Sequence, residues 1–312
     1  MTARILWTHV GALAALLAAH VLLPAYHHGN LARIMVLAIY ATGYNIAFGY
    51  TGLLSLGHAL FFGAGLYAAG LTAYYTGLPG WLALLAGPVA GGAVALALGS
   101  FALRTAGVAF MIVTLMFAQA FHLAILYLGR WTRGDEGLVI ARASRQLFGL
   151  DLADGSVRFL VAWALFALTM VAALIIARSG LGRVMVAMRE NEERSRMLGY
   201  DPYMTKLIAL GLSGAMSGLA GGAYALLFGY VGASLASVQY SILPLLYVLL
   251  GGAGTVLGPL IGTVAMFYLI DLASNVTDAH QLVTGAALVL LILFAPRGIL
   301  GSIRDRFARW IP

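Results

Sequence analysis

The chain has 312 residues, of which 62% are hydrophobic and 9% charged. Soluble domains run near half apolar and about a quarter charged, so a soluble enzyme, a nucleic-acid-binding domain and a disordered scaffold are excluded. Cysteine is absent, which removes disulfides, thiolate metal sites and cysteine nucleophiles; the formal charge of +7 in so apolar a chain points to membrane orientation rather than to a polyanionic partner.

Taken in chain order, uncharged stretches fill 5–32, 34–103, 105–129, 159–177, 207–270 and 279–296. A membrane-crossing helix needs about 20 mostly apolar residues, so the longer stretches must hold several spans, divided by glycine, proline and polar turns. The divisions predict ten: 5–25, 31–51, 56–77, 82–103, 107–128, 159–177, 207–229, 241–256, 258–275 and 281–296. The expected fold is all-α, a polytopic integral membrane protein of about ten transmembrane helices in a single domain over 1–312. The first apolar run exceeds an ordinary signal-peptide core and no small-x-small cleavage site follows it, so it is expected to stay as a helix.

Ten spans with both termini cytoplasmic place 12 Lys and Arg inside and six outside, the sense of the positive-inside rule. Two long polar segments remain. The outer one, 129–157, mixes Arg130, Arg133, Arg142 and Arg145 with Asp135, Glu136, Asp151 and Asp154, as a docking face would. The inner one, 178–206, carries six basic and four acidic residues around a small apolar set. Val184, Met185 and Met188 fall at helical spacing there, as do Met197 and Leu198, and Gly199 is placed to stop a helix before Tyr200-Asp201-Pro202.

Membrane helices associate where small residues allow close backbone approach. Gly214, Gly218 and Gly222 recur every fourth residue, as do Gly254, Gly258 and Gly262, and both sets are expected to make packing stripes; Gly65 and Ala69 are a weaker pair. The second set lies in GGAGTVLGP (251–259), which is also able to break the helix, with Pro259 opening the next one.

Polar residues inside apolar spans are expensive and therefore candidates for a solute path. They are Asn45, Ser55, His58, Gln119 and His122, and His58 stands beside an expected break at Gly52–Gly57. Interhelical hydrogen bonding is the competing explanation for each. His27-His28, with His20 nearby, lacks an accompanying carboxylate and is not expected to hold a metal; Asp271 and Asp278 fit a solvated helix end. Trp81, Trp131, Trp163, Trp310, Tyr74 and Tyr75 mark an aromatic belt.

The string NIAFGYTGLLSLGHALFFGAGLYAAG (45–70) resembles a segment of branched-chain amino-acid permeases of the LivM type. VAFMIVTLMFAQ (108–119), TRGDEGL (132–138), the 179–199 loop, the 251–259 turn and APRGILG (295–301) follow in that family's order. At Thr132 the family commonly reads T-G-G, and here Arg133 replaces the first glycine. The inner loop resembles the ATPase-coupling loop of ABC-importer permeases, with Glu193-Arg194-Ser195 in place of E-A-A and Gly199 as its glycine.

The resemblance implies a non-enzymatic permease subunit in a bacterial inner membrane, working with a LivH-like second permease, two ABC ATPase subunits and a periplasmic substrate-binding protein. There is no Gly-x4-Gly-Lys-Ser/Thr P-loop, so no cofactor is expected in this chain, and ATP and magnesium would belong to the ATPases. Arg183, Arg189, Glu190, Glu193, Met197, Leu198 and Gly199 would then couple to the ATPases, and Asn45, Ser55, His58 and Gln119 would line the translocation path. Rival readings are a permease of the same architecture for urea, short amides or another small carboxylate, an intramembrane enzyme, and a secondary transporter. The enzyme would need an acid–histidine cluster, and the secondary transporter a coupling carboxylate within a span.

Overall fold

The computed structural model describes residues 3–276 and 298–307, together with positions 282, 285, 286 and 289. Apart from those four positions, the expected span 281–296 falls outside the described residues. Helices dominate: α1 (Ala3–Leu22), α2 (Ala25–Asn45), α3 (His58–Leu71), α4 (Gly80–Ala102), α5 (Val108–Tyr127), the short α6 (Gly129–Thr132), α7 (Gly155–Arg178), α8 (Gly180–Glu190), α9 (Glu192–Met197), α10 (Pro202–Phe228), α11 (Val238–Gly251), α12 (Gly258–Val276) and α13 (Gly298–Phe307). Turns of π-helix extend α2 over Ile46–Tyr50 and α3 over Thr72–Thr76. Among the described residues, six helices are long and apolar enough to cross a membrane.

Three expectations need correction. The helix expected over 56–77 begins two residues later, because 51–57 is non-helical and α3 opens at His58. The span drawn as 241–256 is α11, which stops at Gly251; its 14 residues reach only about 21 Å at 1.5 Å per residue, short of the roughly 30 Å hydrocarbon layer. Gly254 lies in the turn that follows, at φ +77°, not on a helical stripe. The packing stripe there is Gly258 and Gly262 of α12 against Gly251 of α11: a Cβ on Gly262 would stand 1.8 Å from the Tyr247 carbonyl oxygen and 2.7 Å from Gly251 N.

The all-α expectation holds, with two short strand pairings added in the outer segment. There β1 (Leu138–Val139) pairs antiparallel with β4 (Tyr230–Val231), and β2 (Gln146–Leu147) forms a hairpin with β3 (Leu150–Asp151).

Burial ranks the helices. The α2 span is 89% buried and α1 only 17%, so α2 is an inner helix and α1 a peripheral one. The second inner helix is α10, which packs on α4, α3 and α2. Its glycines explain how closely. A Cβ on Gly218 would lie 2.4 Å from the Gly87 carbonyl oxygen, and one on Gly214 2.2 Å from Ala95 Cβ. On the α3 side, a Cβ on Gly65 would meet the Gly218 oxygen at 2.1 Å. Backbones are thus in contact on two sides of α10, the arrangement small residues permit in an apolar solvent.

Polar side chains open the helices from α7 to α10. Asp154 caps the N-terminus of α7, Ser179 that of α8, Asn191 that of α9 and Asp201 that of α10, each accepting from the backbone N–H of the second or third residue of its helix. Gly199, at φ +88°, ends α9 in a Schellman motif: Tyr200 N donates to the Ser195 carbonyl at 3.2 Å and Gly199 N to that of Arg196 at 3.0 Å.

Candidate coupling and translocation site

Backbone buried in a bundle must find partners, and the break between α2 and α3 shows where they come from. Gly52 N and Leu53 N return to the Phe48 and Ala47 carbonyls at 3.0 and 2.9 Å. Leu56 N donates to Thr114 Oγ1 of α5 at 3.2 Å, Gly57 N to Ser55 Oγ at 3.2 Å, and Ala59 N to Ser241 Oγ of α11 at 3.0 Å. Hydroxyls from two other helices therefore replace the missing helical ladder.

His58 opens α3 in the middle of this arrangement, fully buried. Its Nε2 is 2.8 Å from Ser213 Oγ of α10, and its ring meets Tyr44 and Phe61 edge-on at centroid distances of 4.5 and 5.1 Å. The buried His58 Nδ1 and Tyr44 hydroxyl have no hydrogen-bond partner in this structure. An unpaired buried polar atom is costly.

Asn45 and Ser55 share the break but are already engaged. Asn45 Oδ1 accepts from Gly254 N and its Nδ2 donates to the Thr255 carbonyl, both at 2.9 Å. It staples the 252–257 turn to the end of α2. Gln119 is half-buried further along α5, and His122 is tied to the Ala233 carbonyl at 3.1 Å. The structure thus gathers Asn45, Ser55 and His58, and leaves Gln119 and His122 outside the group. Ser213, Ser241 and Thr114 were missed by sequence reasoning; their only signal was a hydroxyl within an uncharged span.

The inner segment folds as the pair α8–α9. Gly182, Met185 and Met188 are buried, while Arg183, Glu190 and Glu193 face outward. Val184, expected with the two methionines, is half-buried. Met197 is 86% and Leu198 71% exposed, beside exposed Arg194, Arg196 and Tyr200. Glu192 pairs with Lys206 at 2.6 Å and with Arg196 at 3.6 Å, tying α9 to α10. Arg189 is exposed as Arg183 and Glu190 are, but its head group is engaged. Its Nη1 donates inward, to the Gly49 carbonyl.

At the opposite end, Arg145 caps α10 by donating to the Leu226 and Leu227 carbonyls, a cation at the negative end of a helix dipole. Burial works against its charge and holds its pKa below the usual arginine value. Phe228 lies under both Arg33 and Arg158, at 5.3 and 5.8 Å. Asp151 is held below the usual carboxylate range by the Ala153 N–H and by Arg142, its ion-pair partner at 2.6 Å. Among the described residues no group of three or more His, Asp or Glu is placed to hold a metal. His20 stacks on Phe159 and touches His28, and His27 meets Tyr268.

Comparison with known proteins agrees with the motifs. The family described as "Branched-chain amino acid transport system / permease component" matches residues 28–295. The high-affinity branched-chain amino acid transport system permease protein LivM of Escherichia coli is 30% identical over 298 residues, 87% of this chain and 69% of the relative; that of Salmonella typhimurium is 30% identical over 295. A more partial likeness, 27% over 167 residues, joins it to the autoinducer 2 import system permease protein LsrC of Photorhabdus laumondii. No solved structure gives a significant match. With most of its length matched, the chain belongs to the family of branched-chain amino acid transport system permease components.

Proposed function

We propose that the chain is one half of the membrane pore of an ABC importer for branched-chain or related amino acids, crossing the inner membrane about ten times with both termini cytoplasmic. Its partners are a LivH-like second permease, two ABC ATPases that hold ATP and magnesium, and a periplasmic binding protein. The single domain 1–312 alternates between outward and inward openings as the ATPases close. A neutral path suits a zwitterion: His58 and Tyr44 offer unpaired polar atoms beside the unwound segment, without a buried side-chain charge.

The observation that carries this reading is the exposed apolar pair Met197–Leu198 on a capped helix turn flanked by Arg194 and Arg196. Burying such side chains against a partner is worth about 1.5–3 kcal/mol each. Replacing both with aspartate should therefore release the ATPases: they no longer co-purify with the tagged chain and uptake of radiolabelled leucine is lost, while the chain still reaches the membrane. Normal recovery of the ATPases with this double variant would refute the docking role.

A further inference from the structure

Arg189 is exposed like Arg183 and Glu190 of its own helix, but its guanidinium end bonds to the bundle. Its guanidinium reaches the Gly49 carbonyl in the π-turn that ends α2. The stem of the side chain crosses Gly52, where an added Cβ would lie 3.2 Å from Arg189 Cγ. A Cβ on Gly254 would stand 3.2 Å from Arg189 Nη1 and 3.1 Å from the Gly49 oxygen. Asn45 closes the junction from the other side: its Oδ1 occupies the space a Cβ on Gly49 would need, at 1.9 Å. Gly52 and Gly254 also have φ of +74° and +77°, which favour glycine in their own right. Three glycines are bare where one guanidinium and one amide meet, and the two unwound segments, 51–57 and 252–257, are joined there to each other and to α8.

We propose that Arg189 is the positioning residue through which α8–α9 moves the two unwound segments. This rests on α8–α9 being the ATPase-facing element and extends it: α9 meets the partner, and Arg189 carries the displacement inward to the break beside His58. A charge-assisted bond to a carbonyl is short and directional. Moving α8 without residues 49–52 would leave the carbonyl of buried Gly49 without its donor, at the cost of an unpaired buried acceptor. The unwound segments therefore follow α8, and the two states differ in contacts, as any ligand-driven shift requires.

The test uses the complete transporter, with second permease, ATPases and binding protein, reconstituted in liposomes. Arg189→Met keeps the apolar stem and removes the donors; Arg189→Lys keeps a charge and a single donor group; Arg189→Gln is polar but too short, and serves if the methionine variant does not insert. In the Met and Gln variants the ATPases still co-purify, yet uptake falls about tenfold or more, within the range of coupling between sites. ATP hydrolysis in them no longer rises when substrate-loaded binding protein is added, and Lys restores part of that rise. Wild-type uptake and stimulation in Met or Gln would overturn the proposal. Loss of the ATPases from these variants would also overturn it, by placing Arg189 on the docking face, whereas retention of the ATPases by the Met197–Leu198 double variant would sink the docking reading instead.

Discussion

Among the described residues, two outside glycine hold a left-handed backbone, Arg133 at φ 59° and Phe148 at φ 50°. A side chain there costs on the order of 1 kcal/mol. Phe148 sits in the β2–β3 turn, followed by Gly149 at φ 82°, the paired positive angles that a two-residue hairpin requires. Its ring lies parallel to Trp81 at 6.3 Å, which offsets part of the strain. Arg133 has only a long bond, 3.4 Å, to the Tyr74 hydroxyl. The departure from the T-G-G pattern therefore falls where glycine is the favoured residue. Arg133→Gly is expected to raise stability by about 1 kcal/mol, read as a higher Tm of the purified chain in detergent; an unchanged or lower Tm would show that the arginine is compensated elsewhere.

At the scale of elements, α10 is set by what its glycines exclude. Gly218 faces Gly87 and Gly91 of α4, and the spacing of that second pair is itself small-x-x-x-small. The stripe at 214, 218 and 222 was legible because four-residue spacing is a property of one helix. Its partner was not singled out, because nothing local marks which of several small-residue helices will meet it. Gly218→Ala should cost about 1–3 kcal/mol through overpacking, since its Cβ would stand 2.4 Å from a carbonyl oxygen. Gly92→Ala, on the same α4 but 3.4 Å from the nearest atom, should be close to neutral. Thermal denaturation of both variants side by side decides the matter, and equal losses would discredit the packing account.

For the molecule as a whole, the ends of the bundle separate the α8–α9 pair from the strands and hairpin of 138–151. The proposed orientation puts the first inside and the second outside. The chain has no cysteine, so single cysteines at Arg194 and Gly149 report without background. A membrane-impermeant maleimide added to spheroplasts should label the Gly149→Cys variant and leave Arg194→Cys untouched until the membrane is opened; the reverse pattern would invert the topology.

How much of this the chain announces in advance depends on the range of the interaction. Apolar runs between charges located the helices, since the free energy of placing a residue in lipid is nearly a property of that residue and its neighbours. The breaks near Gly52–Gly57 and in 251–259, and the stop at Gly199, were visible for the same local reason, as glycine backbone freedom shows in the residue itself. The 281–296 span rests on that evidence alone. The short α11, the removal of Gly254 from a stripe and the engagement of Asn45 depend instead on groups about 200 positions apart, such as Asn45 and Thr255. Arg189 is the clearest instance. It is as exposed as the charges around it, and only the packing of α8 against the end of α2 gives its guanidinium the Gly49 carbonyl, a buried acceptor that needed a donor.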